Sequence, residues 1–190
     1  MPADSTKLSS ILHTGAESTE TFITNEVLRM MNEHSTNPIQ VMKRYMRYIH
    51  HWLPILDVHR ISNRIKSSRM LEIADAELAS LLLCIYLASQ PSPTQMQKQP
   101  HMKSLYAQSQ KIFSLLQSIS KFSIESIQCG LLLAVYQIGA GLLSDAYVTL
   151  ATLTGLARAG RLLDCHHKNH HGDGSHEARI VWWAIFLLDR

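Results

Sequence analysis

Nine consecutive apolar residues, Ile180 to Leu188 (IVWWAIFLL), place the strongest constraint on how this chain can fold. On a helix the adjacent Trp182 and Trp183 point about 100° apart, so both are buried only where protein lies on more than one side. A strand would fit the same run, but β-branched content is low after Val181 and the neighbouring segments read as helices, which favours helix. The expectation is an interior helix. No glycine, asparagine or proline stops it before Arg190, so the same reading expects an incomplete domain, with apolar surface left where further chain would pack.

The chain has 190 residues and is 46% hydrophobic, and a chain of this length buries roughly 70% of its unfolded surface. That is enough for one substantial core. Charged residues make up only 17%, against a usual ~25%, which favours a surface partly covered by other protein. A formal charge of +3 is too mild for a nucleic-acid face unless the basic groups cluster. Three cysteines, Cys84, Cys129 and Cys165, lack the close spacing of a disulfide or metal framework, and two lie in apolar helical context. They fit free thiols in a reducing compartment. No amino-terminal signal pattern and no run near the ~20 apolar residues of a membrane span are present, so no membrane role is expected.

The rest of the chain reads as helices. Residues 1–20 are small and polar and are expected to form a disordered tail, with helical structure over 21–190. A short helix covers 21–31. Asn37-Pro38-Ile39-Gln40 opens the next one with a capping side chain, a proline at the first helical position and a glutamine placed to reach back. That helix puts Ile39, Met42, Tyr45, Met46, Ile49 and Leu53 on one side and ends before Pro54. The basic residues Arg60, Arg64, Lys66 and Arg69 follow, read as a solvated helix face because no aromatics interleave to support phosphate or base contacts.

Asp75 and Glu77 open a helix whose stretch Leu78–Ala88 is apolar almost all round, hence central. The proline- and glutamine-rich segment from Gln90 to Pro100 is a connector. Helix resumes at Lys103 with Leu105, Tyr106, Ser109, Ile112, Phe113 and Leu116 on one face. Ser123 caps a helix from Ile124 to Ile138, and Gly139-Ala140-Gly141 links it to a helix over 142–158, an αα-hairpin. On that second helix Ala146, Tyr147, Leu150, Thr154 and Ala157 form the packing face, while Ala151 and Gly155 would let another helix approach closely.

Two polar groupings are candidates for chemistry. The segment from Cys165 to His176 holds five of the eleven histidines; imidazole, thiolate and carboxylate are all zinc donors, but the glycines argue against a fixed site and for a flexible loop. His50, His51 and His59 with Asp57 are the best placed catalytic groups, and helix-end polarity explains them equally well. Phosphate-binding glycine loops, a nucleophile elbow and HExxH are absent from the sequence.

Taken in order, a set of segments resembles the fungal transcription-factor regulatory domain, the middle homology region of binuclear zinc-cluster regulators. They are Tyr45 to Leu56 (YMRYIHHWLPIL, with His50 and Pro54), Leu105-Tyr106-Ala107, Ser123 to Gln128 (SIESIQ), Ala146-Tyr147, Gly155 to Gly160 (GLARAG, with Arg158), Glu177 to Trp183 (EARIVWW, with Arg179 and Trp182) and Asp189-Arg190. The resemblance spans about residues 36–190.

It implies an all-α, irregular multi-helix regulatory bundle containing αα-hairpins, with no enzymatic role and no cofactor in this chain. Zinc is expected only in the family's separate six-cysteine DNA-reading module; no cysteine precedes Cys84, so DNA contact by these residues is not expected. The implied partners are proteins or a small-molecule effector, a homodimer included, and the implied location is the nucleus. Arg179, Trp182, Trp183, Asp189 and Arg190 are implied to be core and helix-joining residues. Two other readings stay open: a helical small-molecule binder or enzyme using polar groups between His50 and His59, and a helical protein-interaction scaffold.

Overall fold

The protein is described by a computed structural model covering residues 4–67, 75–90, 100–119, 122–160 and 173–189, with side chains over 19–67, 75–90, 101–119, 122–160 and 176–189. Among these residues all regular structure is helical: α1 (Asp4–Glu33), α2 (Pro38–Tyr48), α3 (Val58–Ser67), α4 (Ala76–Ala88), α5 (Pro100–Ile119), α6 (Ile124–Gly139), α7 (Leu143–Ala159) and α8 (Asp173–Leu188). This is the all-α bundle that the sequence implies.

Local chemistry sets several helix starts. Asn37 caps α2 by accepting from the Gln40 N–H, while the Gln40 side chain accepts from the Asn37 N–H, a reciprocal capping box with Pro38 at the first helical position. Asp75 caps α4 through the Glu77 and Leu78 N–H groups. Ser123 caps α6 through Ser126.

The centre is a pair of helices. In α4 every residue from Leu78 to Leu87 is buried, because α1, α2, α5 and α6 surround it. In α6 every residue from Glu125 to Ala134 is buried, under α4, α5, α7 and α8. Helices α6 and α7 form the expected hairpin, turned at Gly141 with φ of +74°, where the Leu142 N–H returns to Gln137 O at 2.8 Å.

The terminal helix departs from the interior position expected of it. One face of α8, with Ala178, Val181, Ala184 and Ile185, packs inward against α6 and α7, while Trp183 is 60% and Leu187 68% exposed. Continuous apolarity here reflects one packed face and one bare one.

The close helix approach also lies elsewhere. A Cβ on Gly155 would meet nothing within 4 Å, whereas one on Gly130 would come within 2.5 Å of Leu153 Cδ2 and 2.7 Å of Phe113 Cζ. The packing face of α7 uses Ala146, Thr149, Leu150, Leu153 and Ala157; Tyr147, read as part of that face, is 70% exposed. Ile39 and Met46 of α2 also lie outward, and Val41 takes the core position.

Two boundaries shift as well. Helix α2 ends at Tyr48 rather than near Leu53, because Tyr45 O takes both the Ile49 and His50 N–H groups and the chain turns there. Helix α1 runs back to Asp4, into the stretch read as a loose tail, although its described core residues begin at Ile23. The connector residues 91–99 and the histidine-rich segment 165–172 lie outside the described residues.

Candidate functional site

The turn that follows α2 is built around the Tyr45 side chain. Tyr45 is fully buried; its hydroxyl donates to Leu53 O at 2.9 Å and accepts from the Leu56 N–H at 3.3 Å. Pro54 is exposed at the apex of this turn, while Leu53, Ile55 and Leu56 are buried. Burial pushes the Tyr45 hydroxyl well above the usual phenol range despite its backbone hydrogen bonds, so it remains a donor. His50 packs edge-on against the Tyr45 ring at 5.4 Å.

Gln128 of α6 joins this turn to α8. Its Nε2 donates to Ile55 O and to Glu177 Oε1, both at 2.7 Å. Both neighbours are acceptors, which fixes the orientation of the amide.

Glu177 is the centre of a buried polar cluster. Its Oε1 also accepts from the Asp57 N–H at 3.2 Å, and both its oxygens accept from Arg60 Nη2 at 3.0 Å. Arg60 Nη1 donates to Glu125, Arg64 Nη1 donates to the same carboxylate at 3.1 Å, and Arg64 Nη2 donates to Asp75. Burial opposes the charge on Arg60, but its hydrogen bonds to Glu125 and Glu177 outweigh it and hold its pKa above the usual value.

Two arginines face three carboxylates, a net charge of −1 inside the fold. Helix geometry offsets that excess. Asp75 caps α4 and Glu125 lies in the first turn of α6, so these two acids face the positive ends of helix dipoles, while Glu177 is the fifth residue of α8. Asp57 adds a third start, capping α3 through the Arg60 N–H at 2.9 Å. The chemistry available here is that of a joint: most donors and acceptors are taken up in holding helices together, and only Gln128 Oε1 and Arg60 Nε of these side chains are buried without a partner among the described residues.

A second polar knot holds the hairpin. The Tyr106 hydroxyl donates to Asp145 Oδ2 at 2.8 Å and accepts from Gln110 and Gln137 at 2.7 and 3.0 Å, linking α5, α6 and α7. Burial, with Asp145 adding to it, pushes Tyr106 up to about 12.

The catalytic candidates do not converge. His51 and His59 are exposed, His50 lies on Tyr45, and Asp57 is committed to capping. Among the residues carrying the resemblance, Tyr45 and Gln128 meet in the buried cluster, whereas Tyr147, Gly155, Arg158, Arg179 and Asp189 are exposed. Arg179 lies 3.3 Å from His176. Trp182 is half-buried, Trp183 packs edge-on against Phe186 at 5.9 Å, and Arg190 lies outside the described residues.

The basic residues read as a solvated face divide: Arg60 and Arg64 turn inward, Lys66 stays out, and Arg69 lies outside the described residues. Acidic residues opening two otherwise apolar helices, with two arginines four apart, hint at such a cluster but do not say which acid meets which arginine.

Among the described residues no group of three or more metal-donor side chains is assembled, and the two described cysteines, Cys84 and Cys129, are buried free thiols. Three cysteines in the whole chain do not fit a six-cysteine zinc cluster. No described helix is long and apolar enough to cross a membrane. Between α2 and α3 runs an open groove of about 480 Å³ with an apolar floor and a basic rim.

Comparison with known proteins gives a consistent result. The profile of the fungal specific transcription factor domain matches residues 42–190. Transcription factor BOA15 of Botryotinia fuckeliana (strain B05.10) is 27% identical over 145 residues, covering 76% of this chain and 76% of that protein. No solved structure matches the chain.

Proposed function

The chain belongs to the fungal specific transcription factor domain family, and from that premise we propose that it is the regulatory module of a nuclear transcription factor, working through a protein partner or an effector held on its helical surface. The role in transcription regulation comes with the family, which is not an enzyme family. The observation that carries the finer reading is where the polar chemistry lies. The buried charged groups of the described domain are used up in joining α3, α4, α6 and α8, so recognition falls to the outer faces.

Contact with DNA belongs, in this reading, to a separate zinc-cluster module. Self-association through the exposed side of α8, where Trp183, Phe186 and Leu187 lie, is part of the proposal. Fusing residues 1–190 to a heterologous DNA-binding module upstream of a reporter tests it. Reporter output should change relative to the DNA-binding module alone, and the tagged protein should enter the nucleus; an unchanged output together with nuclear exclusion would refute it.

A further inference from the structure

The α2–α3 groove combines two properties that specify a ligand class. Its floor is apolar, formed by Ile39, Met42, Met46, Val58 and Ile65, and Ile39 and Met46 are each 45% exposed. Its rim is cationic: Lys43 and Arg47 project from α2 and Lys66 from α3. Among the described residues no acidic side chain lines it. Asp57, just before α3, is occupied in capping that helix, and Lys43 and Lys66 have no ion-pair partner among the described residues. In a chain with a formal charge of only +3, three unopposed cations along one groove are a local concentration of charge.

The spacing selects among anionic ligands. Lys43 and Arg47 are four residues apart on α2, so their charges repeat about one helical turn, roughly 6 Å, along the groove. A compact anion or a single carboxylate head would use one of them. A nucleic-acid backbone would find the cations but would gain nothing from an apolar floor that lacks aromatic stacking partners. An amphipathic helix with apolar residues at i, i+3, i+4 and i+7 and acidic residues along its flanks matches both features, and methionines on the floor adapt their shape to such a face.

We propose that the α2–α3 groove is a docking site for an acidic amphipathic helix of a partner protein. This rests on the regulatory reading for its cellular meaning, but not for the binding itself.

The test uses the whole 190-residue chain and a labelled helical peptide of about four turns, with leucines along one face and glutamates beside them. Fluorescence anisotropy should show saturable binding that weakens with added salt. The triple variant Lys43→Glu, Arg47→Glu, Lys66→Glu should lose about tenfold or more in affinity with unchanged helical circular dichroism. A peptide of the same composition with its apolar face scrambled should bind about tenfold more weakly as well.

Equal binding by wild type and triple variant, equal binding of the scrambled peptide, or displacement of the peptide by a DNA duplex or by decanoate at matched charge would overturn the proposal. A parallel reporter assay separates the two claims. If the groove fails, peptide binding is lost while the fused chain still alters transcription; if the regulatory reading fails, the reporter is silent while the peptide still binds.

Discussion

Arg60 and Arg64 on one side of α3 and Lys66 on the other are drawn from one basic stretch, yet they face opposite environments. The inner pair is part-buried, paired with the covered Glu125 and Glu177 and with the more open Asp75, so water screens these charges less than those on the surface. Lys66 lines the open groove with Lys43 and Arg47, all three exposed to solvent, and the Arg47 guanidinium lies over the Tyr48 ring at 5.7 Å. Charge in the joint therefore acts on stability, and charge on the rim acts on recognition. A substitution that moved both properties together would break that distinction.

The largest effect is expected at Glu177. Its side chain is only 11% exposed, and Glu177→Ala leaves Arg60 Nη2 and the Asp57 N–H without their acceptor and Gln128 with Ile55 O alone. The expected loss is about 3 kcal/mol, or roughly 6–12 °C in Tm, read by thermal circular dichroism. Lys66→Ala should stay within about 0.5 kcal/mol of wild type. Equal shifts for the two would merge the inner and outer charges into one class.

Next come the neutral members of the joint. Gln128→Leu removes two hydrogen bonds and exposes Glu177 to an apolar neighbour, at about 2 kcal/mol, and Tyr45→Phe costs about 1–2 kcal/mol by releasing Leu53 O and the Leu56 N–H. Denaturant titration measures both. Tyr147→Ala, on the outer side of α7, should change stability by less than about 0.5 kcal/mol.

These positions also mark how far the sequence could be read. Asn37, Asp75 and Ser123 were legible because a cap acts within three residues, and α4 because its apolarity is continuous. The joint was not. Arg60 meets Glu125 across 65 residues and Glu177 across 117, and no local period encodes such distances. Tyr45 was placed on a packing face by helical spacing and Gln128 was picked out by resemblance alone, in neither case with their partnership through Ile55 and Glu177.

Helix α8 was expected to be interior with apolar surface left over, but which side would be bare was not legible, for a related reason. An apolar run does not reveal which of its sides finds a neighbour, and here only the side with Ala178, Val181, Ala184 and Ile185 does. Gly155 was read as a close-approach position by its small size, but its size is not used. Gly130 is the position where α5, α6 and α7 leave no room.

That glycine pair gives a smaller test. Gly130→Ala crowds Leu153 and Phe113, an overpacking cost of about 1–3 kcal/mol partly offset by a helix-propensity gain of about 1 kcal/mol. Gly155→Ala keeps only the gain and should stabilise by about 0.5–1 kcal/mol. Opposite signs in urea unfolding confirm the assignment; two equal gains would remove Gly130 from the crowded interface.

The smallest expected effect is alkaline. Tyr106 ionises near 10 in the unfolded chain but at about 12 in the fold, and Tyr45 is also raised. The folded state therefore holds protons that the unfolded state releases, so their stabilisation is complete below pH 10 and is lost as pH rises through the folded values. Tyr106→Phe should flatten part of the stability decline above pH 10, and an unchanged decline would assign it to other groups.

The most direct measurement of the central claim is amide hydrogen exchange of Glu177→Gln beside wild type. If Glu177 joins α8 to the turn built on Tyr45, residues 49–57 and α8 lose protection together, although they lie more than a hundred residues apart in sequence. Faster exchange confined to the start of α8, with 49–57 unchanged, would contradict it.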